Sequence, residues 1–178
     1  MLEGKNVNLK TMEKEDLQAY AEWCNNPEFF GEYNPLWQTS KAEMEKDFEN
    51  SKDTKAFFIQ KKDGSRIGII SHFYVSYPDG GTKHLEIGYS LAPGERGKGY
   101  GTEAFNLMLD YLFLSRANVR IQATTDTRNL ASQRALEKAG LKKEGTLRKY
   151  FFMRGEWRDV FMYSILREEW EGPRALMS

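Results

Sequence analysis

Residues 86–103 read EIGYSLAPGERGKGYGTE, a strand-like run, a loop with glycines at Gly94, Gly97, Gly99 and Gly101, and the start of a helix. Glycine lets a loop turn inward and brings backbone N–H groups near a ligand with no Cβ in the way. A helix start adds N–H groups that lack intrahelical acceptors, together with the positive end of the helix dipole. The combination is a seat for an anion, most simply a phosphate or pyrophosphate.

Three kinds of site share this logic, beside the plain alternative of a glycine-rich turn with no ligand. A Walker A loop needs Ser or Thr after Gly-Lys, and here Gly97-Lys98 is followed by Gly99. A dinucleotide fingerprint can be traced loosely through Gly99, Gly101 and Ala104, but its parallel βαβ context near the chain start is missing. The third reading fits best: Arg96-x-x-Gly99-x-Gly101 resembles the R/Q-x-x-G-x-G/A signature of the GNAT superfamily of acetyltransferases, which holds the pyrophosphate of acetyl-CoA.

The 178 residues suit one well-packed domain, with 40% apolar and 13% aromatic residues to fill its core. Twenty-six basic residues balance twenty-six acidic ones, which argues against a general nucleic-acid binder. A lone cysteine, Cys24, forms no internal disulfide, and its place beside Trp23 predicts burial. With no signal-peptide pattern, no long apolar run and no cysteine–histidine cluster, the expectation is a cytoplasmic chain without membrane segment or metal. Oligomeric state is not legible.

In chain order the pattern predicts a strand at 7–12 and a helix over 15–25 stopped by Asn25-Asn26-Pro27. Residues 28–38 read as an irregular aromatic loop, either pinned to the core or forming an acceptor rim with Glu28, Phe29, Phe30 and Tyr33. A helix follows over 40–52, with Ser40 or Thr39 as N-cap, Glu43 completing a capping box, and Met44 and Phe48 facing inward. Strands are expected at 56–61 and 67–77 around Asp63-Gly64, then at 83–91 after a turn at 78–81. A core-facing helix over 101–116, a strand at 120–126 and a helix over 129–139 stopped by Gly140 come next. A terminal hairpin, 145–153 and 157–167, turns at Arg154-Gly155.

A second constellation strengthens the resemblance. Asn129-x-x-Ser132-x-x-x-x-Glu137-Lys138-x-Gly140-Leu141 is similar to the GNAT motif N-x-x-S-x-x-x-x-E-K-x-G-F, with Leu141 where phenylalanine is usual. Glu144-Gly145-x-x-Arg148 and Asp159 resemble the RimJ/RimL-like branch, the ribosomal-protein N-terminal acetyltransferases. The likeness runs from about residue 7 to about 168 and implies a single GNAT domain spanning 1–178. Its fold would be α/β, with a mixed, mostly antiparallel sheet splayed at the strands 83–91 and 120–126 and flanked by helices.

The resemblance implies acetyl-CoA as co-substrate, with its pantetheine arm along Tyr89, Ser90 and Leu91. The pyrophosphate would sit on the loop from Arg96 through Gly97, Lys98, Gly99, Tyr100 and Gly101 to Thr102. Arg134 and Lys138, four apart on one helical face, would meet the 3′-phosphate or simply face solvent. In RimL-like enzymes the base is a strand glutamate and the acid the serine of N-x-x-S, here Glu86 and Ser132. A carboxylate on a central strand is costly unless it faces a cleft or a partner. Ser132 has a local helix-start explanation, and Asn129, a contact for the arm, an equally adequate one as N-cap. His72 and His84 are rival bases, and Tyr89 and Tyr150 rival acids. The expected activity is acetyl transfer to a primary amine, a protein N-terminus or a small amine; the alternative is a non-catalytic acyl-CoA sensor.

Overall fold

The computed structural model describes residues 1–51, 54–76 and 83–176. They form one eight-stranded sheet in the order β1-β2-β3-β4-β5-β6-β8-β7. Its strands are β1 (Leu2–Glu3), β2 (Val7–Thr11), β3 (Thr54–Lys61), β4 (Arg66–Ser76), β5 (Lys83–Leu91), β6 (Arg120–Asp126), β7 (Lys142–Met153) and β8 (Glu156–Leu166). All neighbours are antiparallel except β5 and β6. The mixed, mostly antiparallel sheet expected from the sequence is therefore observed. The expected turn at 78–81, the predicted end of the 67–77 strand at Tyr77 and the end of the second predicted helix at Lys52 lie outside the described residues.

Strand alternation assigns the two faces. Phe57, Ile59, Ile70, Leu85, Ile87, Ile121 and Ala123 pack under α4 (Tyr100–Ser115) and α5 (Leu130–Lys138), where Phe105, Met108 and Leu112 are fully buried. Phe58 and Ile69 turn the other way, toward α1 (Leu17–Cys24), which covers that face with α2 (Pro27–Phe30) and α3 (Lys41–Asn50). Each large side chain so buried contributes about 1.5–3 kcal/mol.

Some expectations need correction. Pro27 does not simply end α1: it opens α2, whose N-cap Asn26 accepts the Glu28 N–H. On α3 the Ser40–Glu43 capping box forms and Met44 is buried, but Phe48 is 40% exposed. Phe48 does face the sheet side, but it borders an open groove beside Met44 and so stays partly solvated. β7 starts at Lys142, three residues early, and is exposed along almost its whole length.

Candidate active site

β5 and β6 pair only at Leu85↔Ile121 and Glu86↔Gln122. Beyond that point β5 keeps β4 as its partner and β6 keeps β8, so the seam between them opens. From Ile87 to Leu91, the β5 backbone groups on that side have no strand partner among the described residues. A cleft of ≈ 420 Å³ lies at the seam, lined by Glu86, Tyr89, Ser90, Asn129 and Ser132 and walled by aromatic side chains.

Glu86 alternates with Leu85 and Ile87 and therefore points away from α4, into the cleft. It is 9% exposed, and its two oxygens accept hydrogen bonds from Gln122 Nε2 and Thr124 Oγ1, both at 3.0 Å. Both donors are neutral, so its negative charge meets no cation among the described residues. Gln122 and Thr124 lie outside the motifs, and their sequence signal is polar residues alternating with Ile121 and Ala123 on a central strand.

Ser132 sits in the first turn of α5. Its N–H donates to Asn129 Oδ1 at 3.1 Å, so Asn129 acts as the N-cap and also borders the cleft. Ser132 lines the cleft together with Tyr89 and its phenol. Burial pushes that phenol above the usual tyrosine range, and the contact with Ser132 offsets part of the rise. The Tyr89 ring also packs edge-on to Phe105 and covers Gly101, where a Cβ would come within 2.9 Å of it.

Gly97 and Gly99 hold φ of 76° and 87°, the left-handed region that glycine enters at little cost, and Gly99 is the N-cap of α4. Among the described residues, the N–H groups from Gly97 to Thr102 have no hydrogen-bond acceptor. Lys98 is ion-paired to Glu95 at 3.0 Å. Arg134 and Lys138 are exposed on α5, four residues apart.

Arg96 reaches elsewhere. Its Nε donates to Leu91 O at 2.9 Å and its Nη2 to Phe29 O at 2.7 Å, tying the glycine loop to α2. Arg154, at the hairpin tip, donates to Gly31 O at 2.8 Å and Asn34 O at 3.2 Å from the opposite side. Two arginines thus hold the segment 27–34, a role that nothing in the spacing announced. Phe30 and Tyr33 line the cleft; Phe29 is buried, stacked on Trp23 at 4.3 Å, and lies outside the lining, as do the exposed Glu28 and Glu32.

The remaining motif residues act within the sheet. Glu144 receives both Arg120 Nη atoms at 2.7 and 2.6 Å, and with the Ser164 hydroxyl this holds its carboxyl down at about 2. Asp159 accepts the Lys149 N–H at 2.7 Å, where φ is 48° and β7 bulges before Phe151. His72 faces α4 with both ring nitrogens unpartnered, away from the cleft, and Cys24 is buried with its thiol pushed up to about 11. Among the described residues no helix is long and apolar enough to cross a membrane.

Comparison with known proteins agrees with this geometry. Residues 6–142 match the family model described as an acetyltransferase (GNAT) domain. The N-acetyltransferase p20 of Bacillus licheniformis is 31% identical over 173 residues, 93% of this chain and 96% of that protein. Among solved structures, spermidine N-acetyltransferase from Vibrio cholerae in complex with CoA and spermine has a TM-score of 0.80 at 23% identity, covering 92% of this chain and 97% of its own. Mycobacterium smegmatis RimJ in complex with CoA-disulfide has a TM-score of 0.79 at 24% identity, covering 94% and 85%. With a sheet that parts beside Glu86, a glycine loop of unpaired N–H groups and a family match over most of its length, this chain belongs to the GNAT family of acetyltransferases.

Proposed function

We propose that the chain transfers an acetyl group from acetyl-CoA to a primary amine by direct attack, with both substrates bound together. The open seam beyond Glu86–Gln122 carries this reading: a buried carboxylate, Tyr89 and Ser132 line the cleft at the seam, and the unpaired N–H groups of the glycine loop follow β5 in the chain. The N–H groups from Gly97 to Thr102 would bind the pyrophosphate, and the backbone along Tyr89–Leu91, apart from the Leu91 carbonyl that Arg96 holds, the amides of the pantetheine arm. Arg134 and Lys138, exposed four residues apart on α5, would meet the 3′-phosphate.

An amine with pKa of ~8 at an N-terminus, or ~10 on an alkyl chain, arrives protonated and must lose its proton before attack. Glu86, held by two neutral donors, takes that proton. The amine nitrogen then bonds to the thioester carbon and the C–S bond breaks; the thiolate takes a proton through Ser132 and Tyr89, and the second proton lost by the new amide nitrogen replaces it. Positioning supplies most of the rate, and each proton transfer adds about 10²–10⁴-fold.

Glu86→Gln keeps the shape and the Thr124 contact but cannot take the proton. Its acetyl-CoA affinity, measured by calorimetry, should stay within a few-fold of wild type, while turnover at neutral pH falls by ~10-fold or more. Unchanged turnover would remove Glu86 as the base.

A further inference from the structure

We infer that the acceptor is a single primary amine carried beside a bulky uncharged apolar group, not a polycation; this rests on the acetyl-transfer reading above. The charge count in the cleft decides it. Among the described residues two carboxylates line the cleft, Glu86 and Asp126, and no lysine or arginine does. Asp126 is already compensated, with Arg158 at 3.3 Å and Arg128 at 3.4 Å. Glu86 alone keeps an uncompensated charge, enough for one ammonium group. Glu28 and Glu32, the carboxylates that would serve further ammonium groups, stand outside the lining.

What surrounds that one charge is aromatic. Phe30, Tyr33, Trp37, Phe73, Phe151 and Phe152 wall the acceptor side. Past Tyr20, Trp37, Ser71 and Phe73 the cleft runs into a groove of ≈ 1060 Å³ between α3 and the strands β3 and β4. Among the described residues the groove's ionic side chains balance in number, Glu43 and Asp47 against Lys46 and Lys55, and Glu43 is engaged in the α3 capping box. In the cleft a second or third ammonium would lose water without meeting another uncompensated carboxylate, whereas an aryl or large aliphatic group would gain by burial. Two sources offer this chemistry: an arylalkylamine, or the N-terminus of a peptide led by a large apolar residue.

The test is kcat/KM with acetyl-CoA for tryptamine, 2-phenylethylamine, Phe-led and Ser-led peptides, putrescine and spermidine, with acetyl-CoA binding measured separately by calorimetry. The aryl amines or the Phe-led peptide should exceed both polyamines by ~10-fold or more, and which of them leads identifies the source. Trp37→Ala and Phe152→Ala, at side chains 47% and 60% exposed whose loss spares the core, should each cut that preference by about 3-fold or more. A polyamine preference, equal rates on all amines, or no turnover of any amine while acetyl-CoA binds would overturn the inference. Failure to bind acetyl-CoA would instead bring down the acetyl-transfer reading and this inference with it.

Discussion

Gly101 is bare because the Tyr89 ring occupies the space a side chain would need, with 2.9 Å left for a Cβ. Gly101→Ala should therefore push Tyr89 off Ser132 and lower kcat by several-fold. Tyr89→Phe keeps the packing against Phe105 and removes only the hydroxyl. Its kcat should fall by about 10-fold, with the melting temperature within a few degrees of wild type, as steady-state kinetics and thermal unfolding would show. At this scale the sequence was readable where a residue breaks a local rule. Glu86 between two buried apolar neighbours on a strand had to face a cleft or a partner, and it faces both. Phe29 and Phe48 broke no such rule. Whether an aromatic is buried depends on helix phase and neighbours, and Phe29 turned to Trp23 while Phe48 faces an open groove.

The segment 27–34 illustrates what an element needs from distant residues. Asn26-Pro27 reads equally as a helix stop and as an N-cap with a first helical residue, and the structure uses it as both. Its position is then set by Arg96 from the glycine loop and Arg154 from the β7–β8 turn. Those contacts span 67 and 123 residues in sequence, which no local pattern encodes. Arg154→Ala removes the hydrogen bonds to Gly31 O and Asn34 O while leaving the glycine loop intact, at a cost of about 1 kcal/mol. The KM for the amine acceptor should rise several-fold with acetyl-CoA affinity unchanged; a matching loss of acetyl-CoA affinity would assign Arg154 a wider role. The hairpin itself was legible from Arg154-Gly155, since both residues adopt positive φ as a two-residue turn requires. The bulge at Lys149, which precedes Phe151 and Phe152 at the cleft, was not, because it depends on Asp159 across the ladder.

Over the whole molecule, the mixed sheet and its splayed seam followed from two glycine- and serine-centred motifs in the right order, whereas the insertion of β8 between β6 and β7 rests on long-range pairing that no motif states. Acid sensitivity is also a property of the whole. Burial, with Arg116 and Lys55 nearby, pulls the His72 imidazole down from 6.5 to about 4. The native state thus refuses a proton that the unfolded chain accepts, so this stability is complete above about pH 6.5 and drains away as pH falls toward 4. Glu144, held down at about 2, acts with the same sign in a lower window, from 4.5 toward 2. Urea unfolding should show stability falling by up to ~1.4 kcal/mol per pH unit between 6.5 and 4, and His72→Leu should flatten that slope while sparing the acid-side loss below it. The most direct test of the proposed site is amide hydrogen exchange with and without acetyl-CoA. Protection concentrated in 87–91 and 97–102, with little change along β7 or α3, is the predicted result; no protection there, or protection confined to the groove beside α3, would contradict it.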